Sequence, residues 1–289
     1  MSRPFDLNDT GAYLRWREAK LAHAPRRTEE LIVEVLDPRA LTPAEHTALA
    51  DRIRCSNMAI YASRLLEADS NIPRLLGRQF GLVHLDANWL AEEDGISEIQ
   101  VADDGTRQHY IPYTDKPIKW HTDGYYNPPE RQIRAMILHC VRSAAEGGDN
   151  RLMDHEIAYL RLRDENPEHI RALMQPDTMT IPLRDDERDG IREAQSGPVF
   201  SVDTEGNLHM RYTARTRSIE WNNDGATRDA VAALECLLAA DSPDVFTAHL
   251  APGMGLLCNN VLHDRSAFAD DVASPRLLYR ARYLDRVVI

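Results

Sequence analysis

Two histidines and an aspartate form the clearest chemical pattern in the sequence. His121 and Asp123 stand two residues apart in Trp-His-Thr-Asp-Gly, and His263 lies far downstream in Asn-Val-Leu-His-Asp-Arg. A strand end can aim a His-x-Asp pair at one centre, while a distant histidine supplies a third ligand. This 2-His-1-carboxylate set suits non-haem Fe(II) and leaves coordination positions open for oxygen and a co-substrate. The pattern therefore predicts these three residues as metal ligands and as the catalytic centre.

His155 belongs to a possible competing metal site. The segment Asp154-His155-Glu156 begins like a zincin motif, which requires another histidine four positions after the first. That position holds Tyr159. A zinc metalloprotease is therefore disfavoured, and His155 is interpreted as a residue at the start of a helix. The remaining histidines have no partner at ligand spacing and are interpreted as ordinary polar residues.

The elements that must position the ligands are predicted to be mostly short strands. Residues 118–121 are expected to form a strand that ends at the first ligand, and 136–141 a core strand followed by a turn at 146–149. Further strands are expected at 31–35, 96–101, 245–250, 255–260 and 277–283, with several more between 179 and 221. The first of the ligand-bearing strands thus lies within a larger β-structure.

A hairpin and four helical segments complete the predicted elements. The hairpin is expected to join 96–101 to 108–113 through Asp103-Asp104-Gly105. The helices are expected at 11–24, at 42–65 after a Thr-Pro-Ala-Glu capping box, at 154–173 with a break at Asn166-Pro167, and at 226–240.

Short strands with helices grouped outside them favour a mainly β protein with flanking helices and a double-stranded β-helix (jelly-roll) core. We expect a single domain over 1–289, in which 1–95 contribute an N-terminal layer of helices and strands.

Composition limits the class of partner. The 289 residues carry a formal net charge of −12, which opposes binding to nucleic acid because such binding needs a basic field. No apolar run is long enough to span a bilayer, and the N-terminus lacks the apolar segment of a secretory signal. The four cysteines are far apart and fit free thiols in a reducing compartment. The sequence therefore predicts a cytoplasmic protein that acts on a small molecule, and it leaves homo-oligomer formation open.

Four segments, taken in order, resemble the signature blocks of one family. They are Pro112–Gly124, Gly147-Gly148-Asp149, Asn259–Arg265 and Arg276–Arg280. Together they resemble the taurine dioxygenase (TauD/TfdA-like) family of Fe(II)/2-oxoglutarate dioxygenases. The order and spacing of the blocks carry the resemblance, since no single block is diagnostic.

The resemblance implies Fe(II), 2-oxoglutarate as co-substrate, and O2. It assigns to Arg276 the distal carboxylate of 2-oxoglutarate, a role that suits a planar guanidinium able to give two parallel hydrogen bonds. Family members usually place a threonine after the Gly-Gly turn, where this chain has Asn150, whose amide can still donate. The chain also departs from the family at Cys258-Asn259-Asn260 and at Asp264. These neighbours of the ligands are expected to tune the site.

Other side chains are predicted to meet the substrate. Arg280 matches a place where some family members bind an anionic group. It stands four residues after Arg276, and this even spacing keeps both on one face of a strand. Arg211 and Arg215 are further candidate anion contacts, with a solvated or salt-bridged arginine as the alternative for each. Tyr125 and Tyr126 flank the ligands and are expected to wall the substrate pocket, although core packing explains them as well.

These expectations describe a 2-oxoglutarate-dependent oxygenase that hydroxylates a small anionic or zwitterionic metabolite and releases succinate and CO2. The carboxylate ligand Asp123 favours hydroxylation over halogenation, because no ligand position is vacated for a halide. The ligands do not distinguish hydroxylation from desaturation, cyclisation or demethylation. A jelly roll that binds a ligand without turnover, and a hydrolase, are the alternatives from other classes. The sequence does not identify the substrate.

Overall fold

Two β-sheets form the centre of the protein in the computed structural model, which describes residues 3–86, 95–103, 105, 107–186, 190–215 and 219–289. The larger sheet contains, in order, β1 (Ile32–Glu34), β2 (Met58–Ala62), β16 (Met254–Cys258), β5 (Ala135–Arg142), β19 (Leu277–Tyr283) and β3 (Ser97–Ile99). The smaller sheet contains, in order, β15 (Phe246–Ala248), β7 (Asn150–Met153), β17 (Leu262–Arg265) and β4 (Ile118–His121). Only β1 and β2 pair in parallel among these neighbours.

Short strand pairs surround the two sheets. One consists of β6 (Glu146–Gly147) and β18 (Phe268–Ala269). The others lie between the helices and comprise β8 (Met179–Ile181), β9 (Arg184–Asp186), β10 (Gly190–Arg192), β11 (Gln195–Gly197), β12 (Phe200–Val202), β13 (Leu208–Met210) and β14 (Glu220–Trp221). In these, β9 pairs with β10, β12 with β13, and β8 with both β11 and β14.

The two sheets pack face to face through alternating apolar side chains. Leu138 on β5 and Leu256 on β16 share a buried cluster with Leu152 on β7 and Phe246 on β15. Alternate residues of a strand point to opposite faces, so the other face of each sheet is free to bind helices. This arrangement of two facing, mainly antiparallel sheets confirms the predicted jelly-roll core.

Helices cover the outer faces of both sheets. The six helices of the described residues are α1 (Thr10–His23), α2 (Pro43–Ser56), α3 (Ile72–Gln79), α4 (His155–Glu165), α5 (Pro167–Leu173) and α6 (Gly225–Ala239). The larger sheet packs against α2 and α3, and the smaller sheet against α4 and α6. No helix among the described residues combines the length and apolar character needed to cross a bilayer.

The second helix is shorter than the sequence predicts. Its capping box forms as expected, with the Thr42 hydroxyl accepting from the Glu45 N–H. The helix ends at Ser56 and not near residue 65, because Asn57 adopts the left-handed conformation with φ of 58° and donates to the Ile53 carbonyl. The next residues then pair on both sides as β2. Sheet pairing therefore overrides the helical preference of this apolar run.

The predicted 96–113 hairpin is wrong. Residues 107–109 and 111–113 form short 3₁₀ turns, and β3 pairs with β19 through Leu278 opposite Ile99. A long-range strand pairing thus replaces the local one. Position 104 of the predicted turn lies outside the described residues. So do 187–189 and 216–218 within the 179–221 segment, and residues 1–2 and 87–94 of the predicted N-terminal layer. The predicted break at Asn166 is confirmed, since its side chain caps α5 and accepts from the Glu168 N–H.

A buried ion pair joins the N-terminal helix to the rest of the protein. The Nζ of Lys20 on α1 lies 2.6 Å from Asp154 Oδ2 and 2.5 Å from Glu156 Oε2, and all three side chains are largely buried. Asp154 also caps α4 and accepts from the Asn57 side chain. Burial opposes the charge on Lys20, but the two carboxylates raise its pKa above the ordinary value.

Replacing Lys20 should therefore destabilise the protein strongly. Lys20→Met leaves two carboxylates buried without a counter-charge, and breaking such a pair costs about 3–5 kcal/mol of unfolding free energy. Denaturant unfolding followed by circular dichroism measures the loss. The matched control is Arg27→Met, which removes an exposed partner of Glu30 and should change stability far less. Equal losses in the two variants would show that the buried pair is not a major source of stability.

Candidate metal centre

An antiparallel strand pair sets the two predicted histidine ligands opposite each other. In the pairing of β17 with β4, His263 is the direct partner of His121, and their ring centroids are 4.2 Å apart. Asp123 follows two residues after His121 at the turn beyond β4. One potential ligand atom from each of the three residues lies within 4.8 Å of the other two. The structure thus brings together all three residues that the sequence predicts as ligands.

A hydrogen bond to the backbone carbonyl two residues earlier orients each imidazole. The Nδ1 of His121 lies 2.9 Å from the Lys119 carbonyl, and the Nδ1 of His263 lies 2.9 Å from the Val261 carbonyl. Because a carbonyl oxygen only accepts, each Nδ1 carries the proton. Each Nε2 then keeps a lone pair, which is the form that binds a metal ion.

Asn260 holds the aspartate ligand in place. Its side-chain oxygen accepts from the Asp123 N–H at 2.8 Å, and its side-chain nitrogen donates to the carbonyls of Asp123 and Ile133. Gly124 then turns the chain with φ of 69°, where a Cβ would lie 2.3 Å from Ile133 Cγ1. The departure from the family pattern at residue 260 therefore has a structural role. Sequence reasoning missed this role because an amide contact across the fold has no local signal.

The protonation states favour metal binding. Burial lowers the pKa of His121 to about 3, and the neighbouring His263 acts in the same direction. Burial opposes ionisation of Asp123, but the positive charges of Arg280 and Arg282 hold its pKa below the ordinary value. At neutral pH the site therefore offers a neutral imidazole at His121 and an ionised carboxylate. The Oδ2 of Asp123 is buried without a hydrogen-bond partner in the described part of the chain, as expected of an atom that awaits a cation.

Backbone from a separate segment closes the free edge of the ligand strand. β4 is the last strand of the smaller sheet, and residues 212–214 bond to its outer side. The Tyr212 carbonyl accepts from the Thr122 N–H, the Trp120 carbonyl accepts from the Ala214 N–H, and Thr213 bridges to His121. The first ligand is therefore held by strands on both sides.

The predicted 2-oxoglutarate contacts lie in the same cavity as the ligands. Arg276 and Asn150 both line it, and each is buried. The Nη1 of Arg276 and the Nδ2 of Asn150 have no hydrogen-bond partner among the described residues. Burial lowers the pKa of Arg276, so a buried anion would stabilise its charged form. Two unpartnered buried donors in one cavity fit the carboxylate of a co-substrate.

The Gly-Gly turn lets the backbone pass close to Arg276. Gly147 has φ of 72°, and a Cβ there would lie 2.3 Å from the Ala267 carbonyl oxygen. Gly148 has φ of 76°, and a Cβ there would lie 3.4 Å from Arg276 Nε. Any other residue would strain the left-handed backbone at both positions, and at 147 its Cβ would also clash with the Ala267 carbonyl.

Positive charge dominates the cavity, which has a volume of about 600 Å³. Its cationic side chains are Lys119, Arg131, Arg184, Arg192, Arg215, Arg265, Arg276, Arg280 and Arg282. Two carboxylates, Asp123 and Asp264, also line it, and Asp264 pairs with Arg151 at 2.5 Å. The protein as a whole is acidic, so this cavity is a local region of opposite charge that suits an anionic ligand.

The predicted substrate residues divide into two groups. Arg280, Arg215, Tyr125 and Tyr126 line the cavity, and the Nε of Arg280 is buried without a hydrogen-bond partner in the described ranges. Arg211 does not line it. Its guanidinium donates to backbone carbonyls of the surrounding strands and loops, namely those of Tyr125, Met179, Gly197 and Gln195. Arg211 is therefore a structural residue, in place of the anion contact predicted for it.

Several cavity residues were not found by sequence reasoning. Arg282 donates to the Tyr126 hydroxyl at 2.9 Å and to Asp86 at 2.8 Å, and Asp86 also pairs with Arg131. The two-residue spacing of Arg280 and Arg282 on β19 was a usable signal, because it places both on one face. Arg184 and Arg192 lay in a segment for which the sequence predicted strands without a role.

The competing His155 site is a structural element. His155 is buried at the first position of α4, and its Nε2 lies 3.1 Å from the Leu208 carbonyl. Asp154 is engaged with Lys20. Within the described residues, the three predicted ligands are the one group of histidine, cysteine and acidic side chains close enough to share a metal ion.

Known proteins resemble this chain over much of its length. A uridine-5'-phosphate dioxygenase of Amycolatopsis sp is 34% identical over 177 residues, which cover 57% of this chain and 60% of that protein. A uridine-5'-phosphate dioxygenase of Streptomyces sp is 31% identical over 182 residues, which cover 61% of this chain and 65% of that protein. The chain therefore matches less than two thirds of the length of either relative.

A solved structure shares the fold. The non-heme iron oxygenase OrfP in complex with Fe and alpha-ketoglutaric acid superposes with a TM-score of 0.59 at 17% identity, over 83% of this chain and 82% of that one. The profile described as "Taurine catabolism dioxygenase TauD, TfdA family" matches residues 5–282, which include every predicted ligand. The resemblance drawn from the sequence blocks is thereby confirmed, and the chain belongs to the TauD, TfdA family.

Proposed function

We propose that this protein is an Fe(II)/2-oxoglutarate-dependent dioxygenase that hydroxylates a small anionic metabolite and releases succinate and CO2. The observation that carries the proposal is one cavity that contains three convergent ligand side chains and two buried, unpartnered donors on Arg276 and Asn150. Three protein ligands leave positions for a co-substrate and O2 on an octahedral ion. The two donors supply a place for the far carboxylate of 2-oxoglutarate.

The residues divide the work as follows. His121, Asp123 and His263 would hold Fe(II), which when bound supplies the oxidising chemistry that couples decarboxylation of 2-oxoglutarate to insertion of one oxygen atom into a substrate C–H bond. Arg276 and Asn150 orient the co-substrate. The tyrosines beside the ligands, Tyr125 and Tyr126, wall the cavity and reduce access of water to it.

An anionic substrate fits the electrostatics. Among the described residues, nine cationic side chains and two carboxylates line the cavity. Asp123 is a proposed metal ligand, and Asp264 pairs with Arg151. The net charge of −12 repels anions at long range, but salt screens that field beyond about 8 Å. Contacts inside the cavity are screened less and therefore dominate. The relatives are named for uridine-5'-phosphate, which makes this nucleotide the first substrate to test.

The activity test is succinate release under air. With Fe(II) and 2-oxoglutarate present, anionic metabolites, beginning with uridine-5'-phosphate, should stimulate succinate formation, and mass spectrometry should find the substrate heavier by one oxygen atom. The same mass assay identifies desaturation, cyclisation or demethylation. No iron-dependent succinate with any anionic metabolite, together with absence of 2-oxoglutarate binding, would favour a non-catalytic ligand-binding jelly roll.

Loss of either histidine should remove iron. We expect His121→Ala and His263→Ala each to weaken Fe(II) binding by more than about 100-fold, because changes in groups that merely support a ligand already cost 10–100-fold. Anaerobic Fe(II) titration measures this. His23→Ala, at an exposed position on α1, is the matched control and should bind iron normally. Wild-type affinity in both site variants would end the ligand assignment.

Arg276 should anchor the co-substrate. Arg276→Ala should weaken 2-oxoglutarate binding roughly 30-fold or more, because losing a charge-assisted pair of bonds in a buried pocket costs about 2–5 kcal/mol. Titration of 2-oxoglutarate into the anaerobic Fe(II) protein measures it, with exposed Arg228→Ala as control. An unchanged dissociation constant would transfer the role to another cation of the cavity, with Arg280 tested next.

A further inference from the structure

Two arginines face each other across the β9–β10 hairpin. Arg184 begins β9 and Arg192 ends β10, and the antiparallel register makes them direct partners. Side chains at directly opposite positions lie close together, with Cβ atoms about 4.5–5.5 Å apart, and like charges there destabilise the pairing. The hairpin therefore brings two guanidinium-bearing side chains to one place.

Both arginines line the cavity of the metal centre. The Cζ of Arg184 lies 5.4 Å from the ring centroid of Tyr110, and the Cζ of Arg192 lies 5.4 Å from that of Tyr126. Stacking on a tyrosine fixes a guanidinium while leaving its N–H groups able to donate. The Nε of Arg192 is buried and has no hydrogen-bond partner in the described part of the chain.

We propose that Arg184 and Arg192 together bind the phosphate group of the substrate. This assignment rests on the proposed function, and it specifies a substrate that carries a dianionic phosphate. Two planar guanidinium groups match the oxygens of one phosphate, and its charge offsets the repulsion between them. Tyr126 links the pair to the metal centre, because it also accepts from Arg282 and follows the Asp123 turn.

Three other arginines of the cavity contact protein groups. Arg280 donates to Asp123 at 3.4 Å, and Arg282 is held by Tyr126 and Asp86. Arg265 donates to the carbonyls of Thr114 and Lys116. The hairpin pair lines the same cavity and differs from the contact predicted for 2-oxoglutarate at Arg276.

Paired ligands isolate the contribution of the phosphate. Uridine-5'-phosphate and uridine differ by this group alone, so the ratio of their affinities for the anaerobic Fe(II)/2-oxoglutarate protein measures what the phosphate adds. Inorganic phosphate, tested as a competitor of uridine-5'-phosphate, probes the same site without the nucleoside. Isothermal titration calorimetry gives all three values.

Arg184→Gln and Arg192→Gln should each lower the affinity for uridine-5'-phosphate roughly tenfold or more, as expected when hydrogen bonds to a charged group are lost. Binding of uridine and of 2-oxoglutarate should stay within about twofold, since neither needs the pair. The double variant should lose less than the product of the two single effects, because both side chains bind one group. Arg192→Lys keeps the charge without the planar fork and should fall between wild type and Arg192→Gln. Arg228→Gln makes an equal charge change at an exposed position of α6 and should bind uridine-5'-phosphate as tightly as wild type.

Two results would overturn the phosphate assignment. One is an unchanged preference for uridine-5'-phosphate over uridine in both glutamine variants, especially if Arg280→Leu abolishes that preference. The other is a wild-type protein that binds neither uridine-5'-phosphate nor inorganic phosphate. Neither result touches the proposed function, because iron-dependent conversion of 2-oxoglutarate to succinate is measured independently of phosphate binding.

Discussion

The antiparallel pairing of β17 with β4 is the constraint on which the metal centre depends. It makes His263 the direct partner of His121, so two residues distant in sequence become neighbours through backbone hydrogen bonds. The pairing shifts register between His263 and Arg265, because β4 carries one extra residue between Ile118 and His121. Asn260, in the loop that precedes β17, fixes Asp123 through two hydrogen bonds between its side chain and the Asp123 backbone. Main-chain and amide contacts therefore position the three candidate ligands.

Electrostatics within the site follow from burial combined with local pairing. Desolvation alone would neutralise both a buried carboxylate and a buried imidazole. The nearby arginines keep Asp123 ionised, while His121 stays neutral because no comparable anion outweighs its burial. The same arginines belong to a cavity whose charge is opposite to that of the whole protein. Net charge therefore describes the protein as a whole and does not describe the charge of this cavity.

The sequence predicted those parts of the site that have local or ordered patterns. It predicted the His-x-Asp pair, the distant histidine and Arg276 as site residues, and in the structure all of them line one cavity. The predicted hairpin failed because β3 pairs with a strand far along the chain, and no short-range pattern encodes that choice. The anion contact predicted for Arg211 was wrong for a related reason. The sequence does not distinguish an arginine that donates to four backbone carbonyls from one that binds an anion. Contacts between segments distant in the chain separate these cases, and a single sequence does not display them.

The segment 212–214, which pairs with the edge of β4, connects the β12–β13 strand pair to the strand that carries His121. It follows directly on β12 and β13 and on Arg211, whose guanidinium anchors the surrounding strands by their carbonyls. It also bonds to Trp120 and Thr122 on either side of the first ligand. A backbone displacement in 212–214 therefore moves His121 without any change in the candidate ligands themselves. Substitutions that move the backbone of 212–214 are consequently restricted by the geometry of the candidate metal centre beside it.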